Sequence, residues 1–184
     1  SGIAEKGAKD ALSDRLTGNR IADSFSARMI GMNRLRLDIL PQPTDSTCGP
    51  TCLHAVYRYF GEEQPLDTVV KEVGQLEQGG TLAVILGCHA LRHGYDVTLY
   101  TYDLQVFDPT WFRLDRDVNL EERLVAQMQV KALPRLHTAT VAYIEFLKLG
   151  GMLRMEVLTI DLIRRYLKRE TPILTGLSAT FLYG

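Results

Sequence analysis

The sequence predicts an α+β fold in which helices dominate. Three observations carry that reading: apolar residues recur at helical spacing in six segments, shorter runs alternate with the two-residue period of a strand, and glycine or proline punctuates the joints. Residues 1–33 are rich in Ala, Ser, Asp and Arg without a strong apolar stripe, and read as a loosely helical extension ahead of a domain over 34–184. Leu35, Leu37 and Ile39 alternate with Arg36 and Asp38, which predicts a half-buried strand that Pro41 and Pro43 stop. Leu53, Val56, Tyr57 and Phe60 then fall on one helical face, and Gly61 closes that helix as a C-cap glycine does.

Leu66, Val69, Val70 and Val73 predict a second amphipathic helix, and Leu82, Ile85, Leu86 and His89 a third, opening after Gly79-Gly80 and ending at Gly94. Val97, Leu99 and Thr101 alternate as a strand. Asn119 is placed to cap a helix running to about Lys131, with Glu121 and Glu122 in the first turn, where the helix dipole favours acidic groups. Further helices are expected over Leu136–Leu149 and Thr159–Arg169, with a short strand over Leu153–Val157 between them. Ile173–Leu182 carries almost no charge and reads as a strand from the interior of a sheet. An apolar edge left there without a partner strand would favour self-association.

Composition narrows the function classes. The chain has 184 residues, 46% of them hydrophobic, which excludes overall disorder, and a packed domain of this size buries about 70% of its unfolded surface without needing disulfides or a structural metal. Its 21 basic and 22 acidic residues leave a net charge of -1, so there is no electrostatic case for nucleic acid or an anionic membrane as partner. The longest apolar run, Leu82–Cys88, is far below the roughly 18 residues that suggest a membrane span. With no basic segment leading into an apolar signal-like stretch, a cytoplasmic protein is expected.

The three cysteines, Cys48, Cys52 and Cys88, are too few and too unevenly spaced for a disulfide scaffold or a zinc ribbon. Cys48 carries chemical meaning. It falls where the first predicted helix begins, with Pro50 just inside, a place where proline's fixed φ and missing N–H are tolerated. A helix N-terminus presents roughly half a positive charge in unpaired N–H groups, which stabilises a thiolate and can also donate to an oxyanion forming on a carbonyl attacked by that sulfur. Gln42, six residues earlier on the incoming loop, offers a neutral amide as a second donor. Cys52, one turn further along, reads as a packing residue.

The stretch Gln42-x5-Cys48-Gly49-Pro50-Thr51-Cys52-Leu53, followed by Tyr57-Arg58-Tyr59-Phe60-Gly61, resembles the papain-like cysteine peptidases, in which a glutamine six positions before the nucleophile forms the oxyanion hole. Within that group it is most similar to the bacteriocin-processing peptidases that cut double-glycine leaders, and to their stand-alone bacterial relatives. The resemblance runs from about Leu35 to the end of the chain and takes in Gly79-Gly80-Thr81-Leu82 and Gly94-Tyr95. It implies a papain-like fold, a peptide or protein substrate, a nucleophilic Cys48, an oxyanion role for Gln42, and a substrate-binding loop at Gly79 and Gly80. An ordinary turn before a helix explains the two glycines equally well. No cofactor is implied.

The resemblance also implies a histidine on a strand after the nucleophile, with an acidic residue following, and neither motif occurs. His54 lies six residues beyond Cys48, roughly 9 Å along the same helix and about 240° around it, so it cannot reach the sulfur. His89 and His93 have a two-ligand metal spacing, but Ala90 stands where a zinc hydrolase helix carries its glutamate and no third ligand is evident, so no metal is expected. His137 opens another helix without an orienting acid nearby, and Asp108-Pro109 reads as a turn. The histidine-bearing part of the sheet is therefore expected to be absent from this chain, as in an incomplete peptidase domain or a natural variant without the base. The leading reading is a thiol hydrolase that cleaves a peptide amide. The rivals are a non-catalytic peptide-binding module and an acyltransferase using the same cysteine.

Overall fold

A computed structural model of the chain describes residues 2–6, 35–74, 76, 80–113, 118–130 and 134–176. Among the described residues six α-helices and four strands make a mixed α+β architecture: β1 (Gly2–Lys6), α1 (Cys48–Tyr59), α2 (Leu66–Val73), α3 (Ala83–Arg92), β2 (Tyr95–Thr101), a 3-10 turn (Pro109–Phe112), α4 (Leu120–Val130), α5 (Pro134–Lys148), β3 (Met152–Met155), α6 (Ile160–Leu167) and β4 (Ile173–Leu174). Among the described residues no helix is long and apolar enough to cross a membrane.

The helices form where the apolar spacing places them. α1 closes with Glu62 N–H donating to Tyr57 O at 2.9 Å around Gly61, whose φ of 81° is open to glycine and strained for other residues. Asn119 Oδ1 accepts from the N–H groups of Glu121 and Glu122 at 3.1 and 3.2 Å, and Thr159 Oγ1 accepts from Leu162 N–H at 3.2 Å, so both predicted helix starts are capped by side chains.

The sheet has the order β3-β2-β1-β4. β2 and β3 run parallel, with Thr98 opposite Met152 and Thr101 opposite Met155, and α4 and α5 form the crossover that a parallel pair requires. β1 is antiparallel to both its neighbours, pairing Ile3 with Thr98 of β2 and with Ile173 of β4.

Three sequence expectations are corrected here. Gly2–Lys6 is a strand between β2 and β4, where a loosely helical extension was expected; residues 7–33 of that extension lie outside the described residues. Leu35–Ile39 joins no ladder among the described residues, and Ile39, expected to be half-buried, is exposed. Leu35 and Leu37 instead line a cleft of about 360 Å³ with Leu158, Ile163, Leu167 and Ile173, so their alternation reports half-burial against α6 rather than strand pairing. Of the expected strand Ile173–Leu182, residues 177–182 lie outside the described residues; among residues 173–176, Ile173 and Leu174 pair, beside β1.

The core lies between the sheet and α1, α3, α4 and α5, around Leu53, Val56, Tyr57, Val84, Tyr95, Leu99, Phe107, Leu124 and Phe146. Phe146 is its tightest point. The ring is fully buried, and a Cβ added at Gly87 of α3 would stand 2.8 Å from its Cε2, while one at Gly151 would stand 2.4 Å from its Cζ. The two glycines therefore grip the ring, and α3, α5 and the start of β3 meet across it. Outside the helices' own contacts, Tyr100 and Tyr166 join β2 to α6 through a 2.8 Å hydroxyl contact.

Gly87→Ala is expected to destabilise the protein by about 1–3 kcal/mol through overpacking, although alanine is the better helix former by roughly 1 kcal/mol. Phe146→Ala should cost about 3–5 kcal/mol. Urea denaturation checks both, and a Gly87→Ala variant as stable as the parent would contradict the close approach.

Candidate functional site

α1 begins at Cys48 because of the turn in front of it. Thr47 N–H donates to Thr44 O at 3.1 Å, closing a β-turn over Asp45 and Ser46, and the buried Thr47 hydroxyl tightens it by donating to Thr44 O at 2.8 Å and accepting from Thr44 N–H at 3.1 Å. Because that hydroxyl faces back into the turn, it does not cap the helix, and Thr47 makes no side-chain bond to the first-turn N–H groups. Pro50 has no N–H to satisfy, and Thr51 N–H already donates to Thr47 O at 3.1 Å. The N–H groups of Cys48 and Gly49 are thus left uncapped by Thr47 beside an exposed thiol.

The helix start is held against α3 at close range. A Cβ at Gly49 would lie 3.2 Å from Leu86 Cδ1 and 3.4 Å from Thr81 Cβ, so the absence of a side chain there lets the Cys48 turn approach the N-terminus of α3. Gln42 is exposed in the coil leading into the Thr44–Thr47 turn, on the same loop-to-helix junction as Cys48. Gly80 sits in the turn ahead of α3, its carbonyl accepting from Leu76 N–H at 3.1 Å; Gly79 lies outside the described residues.

The three thiols differ in setting. Cys48 is exposed, Cys52 half-buried and Cys88 buried, and none forms a disulfide. Burial pushes the Cys52 thiol up, with the charge of a nearby Cys48 thiolate adding to the rise. Burial, and after it the charge of Glu145, pushes Cys88 up to about 11, and its Sγ lies 3.5 Å from Ala142 O.

None of the four histidines is bonded to Cys48. His54 is buried on α1 with Nε2 at 2.9 Å from Gln64 O. His137 is exposed on α5. His89 and His93 lie at the far end of α1, beside Tyr57, which stands nine residues and roughly 13 Å along the helix axis from Cys48. Asp108 caps the 3-10 turn, its Oδ1 accepting from Thr110 N–H at 2.8 Å, so it is the turn residue that the sequence suggested.

Around Tyr57 the structure gathers a second set of polar side chains. His89 Nδ1 is 2.7 Å from the Tyr57 hydroxyl, and its Nε2 is 3.1 Å from Glu72 Oε2 on α2. His93 Nδ1 is 2.9 Å from Glu62 Oε1 and its Nε2 3.8 Å from the same Glu72 oxygen, while the Tyr95 hydroxyl donates to Glu62 Oε2 at 2.7 Å. The imidazoles stack with centroids 4.5 Å apart. Burial holds His89 below the usual imidazole range and raises Tyr57 and Tyr95 well above the usual phenol range, so all three stay neutral near pH 7. The His89/His93 spacing announces half of this cluster in the sequence. Glu72 and Glu62 arrive from another helix and a loop, and nothing local in the chain marks them as partners.

No family model, curated protein or solved structure matches the chain.

In the folded protein, iodoacetamide is expected to modify Cys48 first, Cys52 more slowly, and Cys88 only on unfolding. Peptide mapping after limited labelling checks the order, and preferential labelling of Cys52 or Cys88 would contradict it.

Proposed function

We propose that this chain is a papain-like thiol hydrolase in which Cys48 attacks a peptide carbonyl and the uncapped first-turn N–H groups, with the Gln42 amide, receive the oxyanion. The observation that carries the reading is the exposed Cys48 at the first residue of α1, next to N–H groups that Thr47 leaves uncapped. Donors preorganised where negative charge develops supply much of the rate in acyl transfer, and a single such donor is worth roughly 10²–10³ in kcat. The resemblance of Gln42-x5-Cys48-Gly49-Pro50 to the double-glycine leader peptidases supports a peptide substrate, and Thr81, next to Gly80, lies against Gly49 beside Cys48.

Cysteine attack needs a base to take the thiol proton and return it to the leaving amine. None of the four histidines is bonded to Cys48, so in this proposal the imidazole comes from outside these 184 residues. The same observation favours a second reading, a peptide-binding module that retains the groove and does not turn over.

The 184-residue chain is expected to be alkylated at Cys48 yet to cleave a mixed peptide library at no useful rate, because a catalytic unit missing one member loses most of its activity. Added imidazole should restore slow cleavage, and Cys48→Ala should abolish it. Cleavage that survives Cys48→Ala would overturn the nucleophile. Cleavage without imidazole that Cys48→Ala abolishes would return the base to the chain's own histidines, and binding without cleavage in every condition would favour the second reading.

A further inference from the structure

We propose that His89, His93 and Glu72 form a binding site for a divalent transition-metal ion of the zinc class, separate from Cys48. Glu72, His89 and His93 each offer one ligand atom, and these atoms all lie within 4.8 Å of one another. The two contacts to Glu72 Oε2, 3.1 Å from His89 Nε2 and 3.8 Å from His93 Nε2, bracket the roughly 3.3 Å that separates two ligands of a tetrahedral ion bound at about 2.0–2.1 Å.

The surroundings are those of a metal site as well. A ligating imidazole is oriented by a partner on its other ring nitrogen, commonly a carboxylate. His93 has that partner in Glu62, at 2.9 Å from Nδ1, and Glu62 is itself held by the Tyr95 hydroxyl at 2.7 Å. His89 has the Tyr57 hydroxyl at 2.7 Å from Nδ1. Both Nε2 atoms are therefore turned toward Glu72. His89 is buried, while half of the Glu72 side chain and about a quarter of His93 remain exposed, so an ion can enter from solvent without the core opening.

The donor set selects the ion. Two imidazole nitrogens and one carboxylate suit zinc and its neighbours, whereas calcium and magnesium require several oxygen ligands. Three protein ligands leave a fourth position for water or an exogenous ligand. In the absence of metal, His89 Nε2–H donates to Glu72; as the ion takes the place of that proton, the ring passes to its Nδ1–H tautomer with no net proton release, and the Tyr57 hydroxyl turns to accept from Nδ1–H. Ala90, at the place where a zinc hydrolase helix carries its glutamate, supplies no general base here, so the site binds an ion without the machinery of a metallopeptidase.

The test titrates Zn²⁺ into the folded chain against a chromophoric chelator and records the visible ligand-field bands of Co²⁺ as a stand-in. One equivalent of Zn²⁺ should bind, with Co²⁺ bands of tetrahedral or five-coordinate intensity. His93→Ala and Glu72→Gln alter exposed ligands and should each weaken binding by about 10- to 100-fold or more, with circular dichroism confirming the fold. Cys48→Ser should leave affinity and Co²⁺ spectrum unchanged. The proposal is overturned if no Zn²⁺ binds at micromolar concentration, if His93→Ala and Glu72→Gln bind as the parent does, or if Cys48→Ser removes the binding and so assigns it to the thiols.

Discussion

The packing of α1 against α3 is the constraint from which the rest of the molecule follows. At the start of α1 the contact is steric: a Cβ at Gly49 would stand 3.2 Å from Leu86 Cδ1 and 3.4 Å from Thr81 Cβ, so the two elements meet there at close range. Toward the far end it is polar, through the buried Tyr57 hydroxyl and His89 Nδ1. A helix fixed at both ends cannot slide or roll. Cys48 is thereby held at the loop-facing end, and the histidine cluster at the other. α3 is clamped in turn from its opposite side, where Phe146 of α5 enters the space that Gly87 leaves, and this links the helical layer to the parallel pair β2 and β3.

The helices were legible because burial of one face imposes a period that the residues themselves record. Leu53, Val56 and Tyr57 announce α1, and Asn119 and Thr159 announce their helix starts through the hydrogen bonds they go on to make. The sheet was less legible. Leu35–Ile39 and Gly2–Lys6 are both short, and the alternation visible in the first records only the half-burial of Leu35 and Leu37. It says nothing of whether another strand lies alongside. Gly2–Lys6, with two charged residues among five, lacks that alternation and is nonetheless paired on both sides, because register in a sheet is fixed by neighbours distant in sequence.

The site divides in the same manner. The placing of Cys48 at a helix start was legible because proline and the preceding turn residues announce that start. That His54 stands away from Cys48 was also legible, since the distance between them along one helix is fixed by geometry alone. The histidine cluster was half visible. An i, i+4 pair is a local pattern, whereas the approach of Glu72 depends on α2 folding back against α3, and Glu62 on the loop that follows Gly61. Buried polar groups need partners, and the neutral Tyr57–His89 pair in the core is tolerated because each satisfies the other. Cys48 and the histidine cluster lie at opposite ends of α1, roughly 13 Å apart along it, so they share no side chains.

The most direct test of the assignment of Cys48 to a peptide site compares two electrophiles of matched intrinsic reactivity, a small nitrile and a nitrile carried at the C-terminus of a glycine-rich peptide. Simple thiol reactivity treats both alike, whereas a groove beside the thiol concentrates the peptide and an oxyanion site polarises its nitrile. Reaction with Cys48 followed by intact-mass measurement is expected to be faster for the peptide nitrile, to saturate with its concentration, and to slow when Gln42 is replaced by alanine. Equal second-order rates for both reagents, unaffected by Gln42→Ala, would show that Cys48 is merely an accessible thiol at a helix end.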